Sequence, residues 1–284
     1  MVTPELVRRL EDKALRLREL IVKDLVGAGK AGHLGGSCSS AEIVAALYFH
    51  KMKHDPKNPA MDDRDRFLLS KGHAALVQYA ALALAGYFPI AELQRVKSLG
   101  GMLQGHPDMT RTPGVEANTG SLGQGLSVAN GMALGLRLNG AKSRVYVIIG
   151  DGELDEGQIW EAAMAATSFK LDNLTAVVDR NRLQATGVIA DRFEIGPLAP
   201  KWAAFGWNVI EIDGNDVAAV VEAFDAACAV KGKPTVIIAN TVKGKGISFA
   251  ENNAAFHNGA MTSEQLAIAV SDLEKLRNLR ELQL

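Results

Sequence analysis

Three nearly unbroken apolar runs, Val145–Ile149, Leu174–Val178 and Thr235–Ala239, constrain this chain more than any other feature. A strand with one face in water alternates apolar and polar residues. These runs do not alternate, so both of their faces need cover. Around them lie stretches with helical spacing, Gln158–Phe169, Pro200–Phe205 and Val217–Val230. Trp207–Ile212 and Arg66–Ser70 read as further strands. Strands alternating with helices predict an α/β fold, here a doubly wound, mostly parallel sheet with helices on both faces.

The N-terminal part adds helices to this core. Leu6, Leu10, Leu17, Leu20 and Ile21 recur at helical steps among charged residues, which predicts a helix over 4–26 started by Thr3-Pro4. Gly27–Ser40 is rich in Gly and Ser and is expected to be irregular. Ala41–His50, Ala74–Ala85 and Gly125–Leu138 are expected helices, and Ser263–Leu282 a charged amphipathic helix capped by Thr262 or Ser263. Lys97–Gln124 carries six glycines and two prolines without a period, and reads as a long functional loop. No internal repeat or low-complexity linker divides the chain. Residues 1–284 are expected to form a single domain with an N-terminal helical segment over about 3–50. The last helix is expected to run to completion at Leu284.

Composition narrows the function classes. The formal net charge is −1, so no general attraction to nucleic acid or an anionic membrane is expected. Met1-Val2-Thr3-Pro4 leads into charged residues rather than an apolar signal core, and no apolar run reaches membrane-spanning length. A cytoplasmic location is expected. Cys38 and Cys228 form no Cys-x-x-Cys pair, which argues against a structural zinc site. Cys38, in its Ser/Gly-rich surroundings, reads either as a reactive thiol or as a small buried side chain.

In a sheet of this kind ligands bind where the strands end. Four strand-end loops carry chemistry: Ser70-Lys71-Gly72-His73, Gly150-Asp151-Gly152-Glu153, Asp179-Arg180-Asn181-Arg182-Leu183, and Asn240-Thr241-Val242-Lys243-Gly244. All four are expected to open on one edge. Asp151 sits between two glycines, which let the backbone approach a ligand and offer N–H groups to anionic oxygens. Asn181, about thirty residues on, adds an amide oxygen, and the Leu183 carbonyl a third oxygen. Completed by two diphosphate oxygens and a water, these would form an octahedral magnesium shell. A plain Gly-Asp-Gly turn without a ligand is the other reading of that loop.

Gly150-Asp151-Gly152 followed by Asn181 resembles the thiamine diphosphate motif shared by transketolases, deoxyxylulose-phosphate synthase, pyruvate decarboxylases and two-oxoacid dehydrogenases. The flanking sequence is similar to the transketolase version in particular. Gly150 to Ala162, Gly32-His33, Ser70-Lys71-Gly72-His73-Ala74, Gly105-His106-Pro107, Thr119 to Gly125 and His257-Asn258-Gly259 follow transketolase order across nearly the whole chain. By its length the chain resembles the N-terminal, thiamine-diphosphate-binding subunit of a split transketolase.

The resemblance implies roles residue by residue. Asp151, Asn181 and the Leu183 carbonyl would bind the metal, Mg2+ with Ca2+ or Mn2+ as substitutes. Gly152, His73 and Lys243 would contact the diphosphate of thiamine diphosphate. Gly120, Ser121 and Leu122 would meet the aminopyrimidine, and Glu156 would link the two cofactor sites of the assembled enzyme. His33, His106 and His257 would face the sugar, with His257 also near the cofactor. His50 and His54 receive no role. The resemblance further implies two-carbon ketol transfer from a ketose to an aldose, in carbohydrate metabolism of the pentose phosphate type. It also implies a separate C-terminal subunit that supplies the pyrimidine-binding domain and its glutamate, in an α2β2 assembly. Pentose phosphates, branched sugar phosphates and sulfonated sugars all remain as substrates. A deoxyxylulose-phosphate-synthase-like or decarboxylating enzyme is an alternative that the histidine set argues against. A non-catalytic regulatory domain is another, opposed by the presence of Asp151 and Asn181.

Overall fold

The apolar runs pair side by side in the structure, a computed structural model that describes residues 2–27 and 29–282. Five strands form one parallel sheet: β1 (Arg66–Leu69), β2 (Val145–Gly150), β3 (Leu174–Arg180), β6 (Asn208–Asp213) and β7 (Thr235–Asn240). Their order across the sheet is β1-β2-β3-β7-β6. Two short strands, β4 (Leu183–Gln184) and β5 (Gly187–Val188), make a separate antiparallel hairpin that the sequence pattern did not announce.

Side chains along each strand alternate between two helical layers, both apolar. Phe67, Leu69, Tyr146, Ile148, Val177 and Ile237 face one core cluster. Leu68, Val145, Val147, Ile149, Ala176, Val178, Val236 and Ile238 face the other. The first layer contains α1 (Pro4–Leu20), α3 (Ala41–Ala46), α4 (Ala75–Ala85), α8 (Val217–Ala229) and α9 (Ser263–Glu281). The second contains α5 (Gly125–Leu138), α6 (Gly157–Ser168) and α7 (Leu198–Ala204). Double cover explains why the central strands lack alternation. Edge strand β6 is only half-buried and does carry polar residues, as an edge allows.

Most expected helices form within a residue or two of their expected ends. Thr3 caps α1, its hydroxyl accepting from Leu6 N at 3.2 Å. Thr262, rather than Ser263, caps α9 through a reciprocal capping box with Gln265. The helix expected over 4–26 widens after Leu20 into turns bonded five residues back, closing with Gly27 N to Val22 O at 2.9 Å. Residues 283 and 284, where the last helix was expected to finish, lie outside the described residues.

One expectation fails. Gly27–Ser40 is not irregular throughout, because Leu34–Ser39 coils into the short, fully buried helix α2. Serine hydroxyls satisfy local carbonyls there, Ser37 Oγ on His33 O at 2.8 Å and Ser39 Oγ on Gly36 O at 3.2 Å. Glycine is needed because a Cβ on Gly35 would come within 2.9 Å of Lys243 Cγ. Close tertiary packing thus overrides low helix propensity.

The long loop over 97–124 has no regular element, as expected, yet it is anchored. The Tyr79 hydroxyl lies 3.0 Å from Gln104 O and 2.9 Å from His106 O, and Thr112 Oγ1 donates to Met102 O at 2.8 Å. Among the described residues no helix is long and apolar enough to cross a membrane.

Candidate active site

After β3 the chain leaves through α7 on one face of the sheet, and after β7 it leaves toward α9 on the other. Two adjacent parallel strands whose continuations diverge leave a crevice between their ends. The ends of β1, β2, β3 and β7 all open on this edge, as the sequence predicted. A cleft of about 290 Å³ lies there.

Asp151 and Asn181 are both buried in its wall, 5% and 6% exposed. Asp151 Oδ1 accepts Gly152 N–H at 2.9 Å, and Oδ2 accepts the N–H of Arg182. The β2 and β3 loops are thereby tied together. Burial and the nearby Asp179 push the Asp151 carboxyl up to about 7. Asn181 Nδ2 donates to Asp179 Oδ2 at 3.0 Å, while Asn181 Oδ1 accepts Leu183 N–H at 3.2 Å. The Leu183 carbonyl, in β4, accepts Lys243 Nζ at 2.6 Å. Asp151, Asn181, Leu183, Gly152 and Lys243 all line the one cleft, and the turn of Gly152 is matched to Gln184, whose Cγ would lie 2.7 Å from an added Cβ. The Gly152 N–H, expected to contact the diphosphate, here donates to Asp151 Oδ1.

The four motif histidines gather at the same place. The His33 ring centroid lies 5.1 Å from that of His73, 5.6 Å from His257 and 6.3 Å from His106, and His73 stacks on His257 at 5.0 Å. Burial, followed by Lys97 and His106, pulls His33 down to about 4. Burial, followed by Lys243, does the same for His257, and burial with Lys71 lowers His73 further, to about 2. All three are therefore neutral imidazoles near neutral pH, each able to donate and to accept one hydrogen bond. The Lys243 ammonium lies 2.9 Å from His257 Nδ1, and an ammonium only donates. Nδ1 is then the acceptor, and the proton of His257 sits on Nε2.

Other expected residues stand at the rim. Gly120 and Leu122 line the cleft, whereas Ser121 is exposed beside them. His106 is exposed and packs on Gly120, where an added Cβ would lie 2.9 Å from its ring. Glu156, exposed at the start of α6, covers Gly123. His50 is exposed. His54 is structural, bonded to Tyr87 Oη at 3.0 Å and Tyr48 O at 2.7 Å. Cys38 is fully buried and burial pushes its thiol up to about 12, which selects the packing reading.

Sequence reasoning missed the groups beneath the site. Lys71, 1% exposed, forms an ion pair with fully buried Asp179. Asp179 also accepts from Ser39 Oγ at 2.7 Å, from Thr241 Oγ1 and from Asn181. Burial alone would raise the Asp179 carboxyl, but Lys71 and these donors hold it below the usual range. Glu153 likewise accepts from Ser70 Oγ and from the N–H groups of Gly123 at 2.9 Å and Gly150 at 3.1 Å. These carboxylates fasten α2, the four strand-end loops and the 119–125 segment to one another. The signal available was their position: a charged residue directly at the end of an apolar strand.

Residues 10–274 match the family described as transketolase, thiamine diphosphate binding domain. The chain belongs to the transketolase family. It is 48% identical over 266 residues to the 6-deoxy-6-sulfo-D-fructose transketolase subunit of a Clostridium strain, covering 94% of this chain and 96% of that one. It is 43% identical to an apulose-4-phosphate transketolase subunit of Actinobacillus succinogenes, covering 93% of this chain and 96% of that one. Human transketolase is 42% identical over 252 residues, covering 88% of this chain but only 40% of the human one. A solved transketolase structure from Pichia stipitis superposes with a TM-score of 0.87 at 31% identity, over 93% of this chain and 40% of that one. As a transketolase-family chain it is the thiamine-diphosphate-binding part, and its reaction class is transfer of a two-carbon ketol unit.

The residues of the cleft fit the cofactor's charges. Among the described residues no three His, Cys, Asp or Glu side chains converge as a metal site. A cation here would rest on one carboxylate, one amide oxygen and one backbone carbonyl, a set suited to a hard ion that keeps phosphate and water ligands. A carboxylate whose ionisation is opposed by Asp179 gains from such a cation, and Lys243 and His73 offer donors to phosphate.

Proposed function

We propose that this chain is the cofactor-holding subunit of a split transketolase, that its described residues form a single domain, and that it acts in the cytoplasm with a separate subunit carrying the pyrimidine-binding domain. The convergence of Asp151, Asn181, the Leu183 carbonyl and the three histidines His33, His73 and His257 on one cleft, with His106 at its rim, carries this reading. Two relatives covered almost end to end are themselves named as transketolase subunits, which supports a second chain. The assembly proposed for the pair is α2β2. Their names, one for 6-deoxy-6-sulfo-D-fructose and one for apulose-4-phosphate, support a sugar donor that carries a sulfonate or phosphate group.

Asp151, Asn181 and Leu183 would hold Mg2+, with Ca2+ or Mn2+ as substitutes, and Lys243 and His73 would hold the diphosphate, joined by the Gly152 N–H on exchanging Asp151 Oδ1 for a phosphate oxygen. Gly120, Ser121 and Leu122 carry the aminopyrimidine through backbone groups. Glu156, exposed beside this segment, reaches toward the second cofactor site of the assembly. Thiamine diphosphate, when bound, supplies the nucleophilic carbon and the electron sink for cleaving and forming a carbon–carbon bond. His33, His257 and His106 orient the sugar hydroxyls, and the neutral rings of His33 and His257 can take or return a proton there. The test is calorimetric titration of thiamine diphosphate with magnesium present. Asp151→Ala and Asn181→Ala should each abolish binding with the fold intact; wild-type affinity in either would remove the site assignment.

A further inference from the structure

Lys71 and Lys243 both line the cleft, but their partners differ in kind. Lys71 is neutralised by Asp179 and further held by Gly36 O at 2.8 Å and Ser40 Oγ at 2.6 Å. Lys243, 2% exposed, lies within hydrogen-bond distance of two neutral atoms, Leu183 O and His257 Nδ1. No carboxylate among the described residues forms an ion pair with it. Its stem is fixed by contact with Gly35 and its backbone by Asn252 N to Lys243 O at 2.9 Å, so any movement belongs to the end of the side chain.

The Leu183 carbonyl is thus contacted by an ammonium and is also one of the three oxygens proposed for the metal. A divalent ion on that oxygen, at about 2.1 Å, would stand within about 5 Å of the ammonium. Two positive charges so close, away from water, repel strongly. A diphosphate removes the conflict, because its oxygens give Lys243 anionic partners in place of neutral ones.

We propose that Lys243 is an exchangeable placeholder on the metal site: it occupies the Leu183 carbonyl until diphosphate draws its ammonium away, so metal and diphosphate bind with positive coupling. The inference rests on the proposed metal and diphosphate roles. Coupling of this kind is reciprocal, each ligand tightening the other by the same factor.

The experiment titrates the chain with Mn2+, following free Mn2+ by electron paramagnetic resonance, with and without inorganic pyrophosphate and correcting for their complex in solution. In the wild type, pyrophosphate should tighten Mn2+ binding about tenfold or more. Lys243→Met keeps the stem but removes the charge. It should bind Mn2+ alone about tenfold more tightly than wild type and lose most of the pyrophosphate effect. Lys243→Gln, gentler on folding, should move both quantities the same way. Wild-type Mn2+ affinity with undiminished coupling in both variants would overturn the placeholder. Asp151→Ala separates the two levels. Unchanged Mn2+ affinity there overturns the underlying metal site, whereas lost affinity there, with no gain in Lys243→Met, overturns the placeholder alone.

Discussion

His33 shows how burial sets chemistry in this cleft. Held down to about 4 in the fold against 6.5 when exposed, it binds fewer protons folded than unfolded between those values. Its contribution to stability is therefore complete above pH 6.5 and is lost as pH falls toward 4. His33→Gln removes that titration. The stability gap between wild type and variant should shift by about 1–2 kcal/mol against wild type from about pH 7 to about pH 4, after allowance for partial exposure. Thermal melts across that range check it; a constant gap would mean that the ring is not kept neutral by burial. In the assembled enzyme, His33→Ala and His257→Ala should lower ketose turnover more than cofactor affinity. Loss of cofactor affinity with normal turnover at saturating cofactor would reverse the role. These side chains were legible because each stands in a short glycine-flanked motif. Lys71 and Asp179 were less so: their place at the end of an apolar strand was a signal, but the local sequence does not name the partner that each is paired with.

The helices and strands were legible for the opposite reason, since their apolar spacing extends over many residues. Val145–Ile149 and Gly125–Leu138 needed no knowledge of their neighbours. Helix α2 did need it, because Gly35 and Gly36 form a helix only where Lys243 and His73 pack against them. The β4–β5 hairpin is too short to carry a pattern, yet it presents the Leu183 carbonyl. What holds these pieces in register is the buried network around Asp179. Asp179→Ala should cost about 3–5 kcal/mol in denaturant unfolding, because it strands the Lys71 ammonium away from water. Pairing it with Lys71→Met should recover part of that loss. Gly125→Ala, whose new Cβ would meet Ser70 Oγ at 2.3 Å, should cost about 1–3 kcal/mol by forcing the β1 loop from the 119–125 segment.

At the level of the whole chain, the proposed function makes the cleft a half-site. It opens on a sheet edge, gathers the groups proposed for metal, diphosphate and sugar, and belongs to a chain that matches 40% of the length of human transketolase. On the proposed reading, the remaining functions of a transketolase, above all the carboxylic acid at the pyrimidine ring, would belong to the partner. The decisive measurement is a two-carbon transfer assay with thiamine diphosphate and magnesium, run on this chain alone and after adding the C-terminal partner, with co-purification recorded alongside. No transfer by the single chain, and turnover appearing with the co-purifying partner, is the expected result. Full transfer activity from the purified single chain would contradict the split-enzyme account.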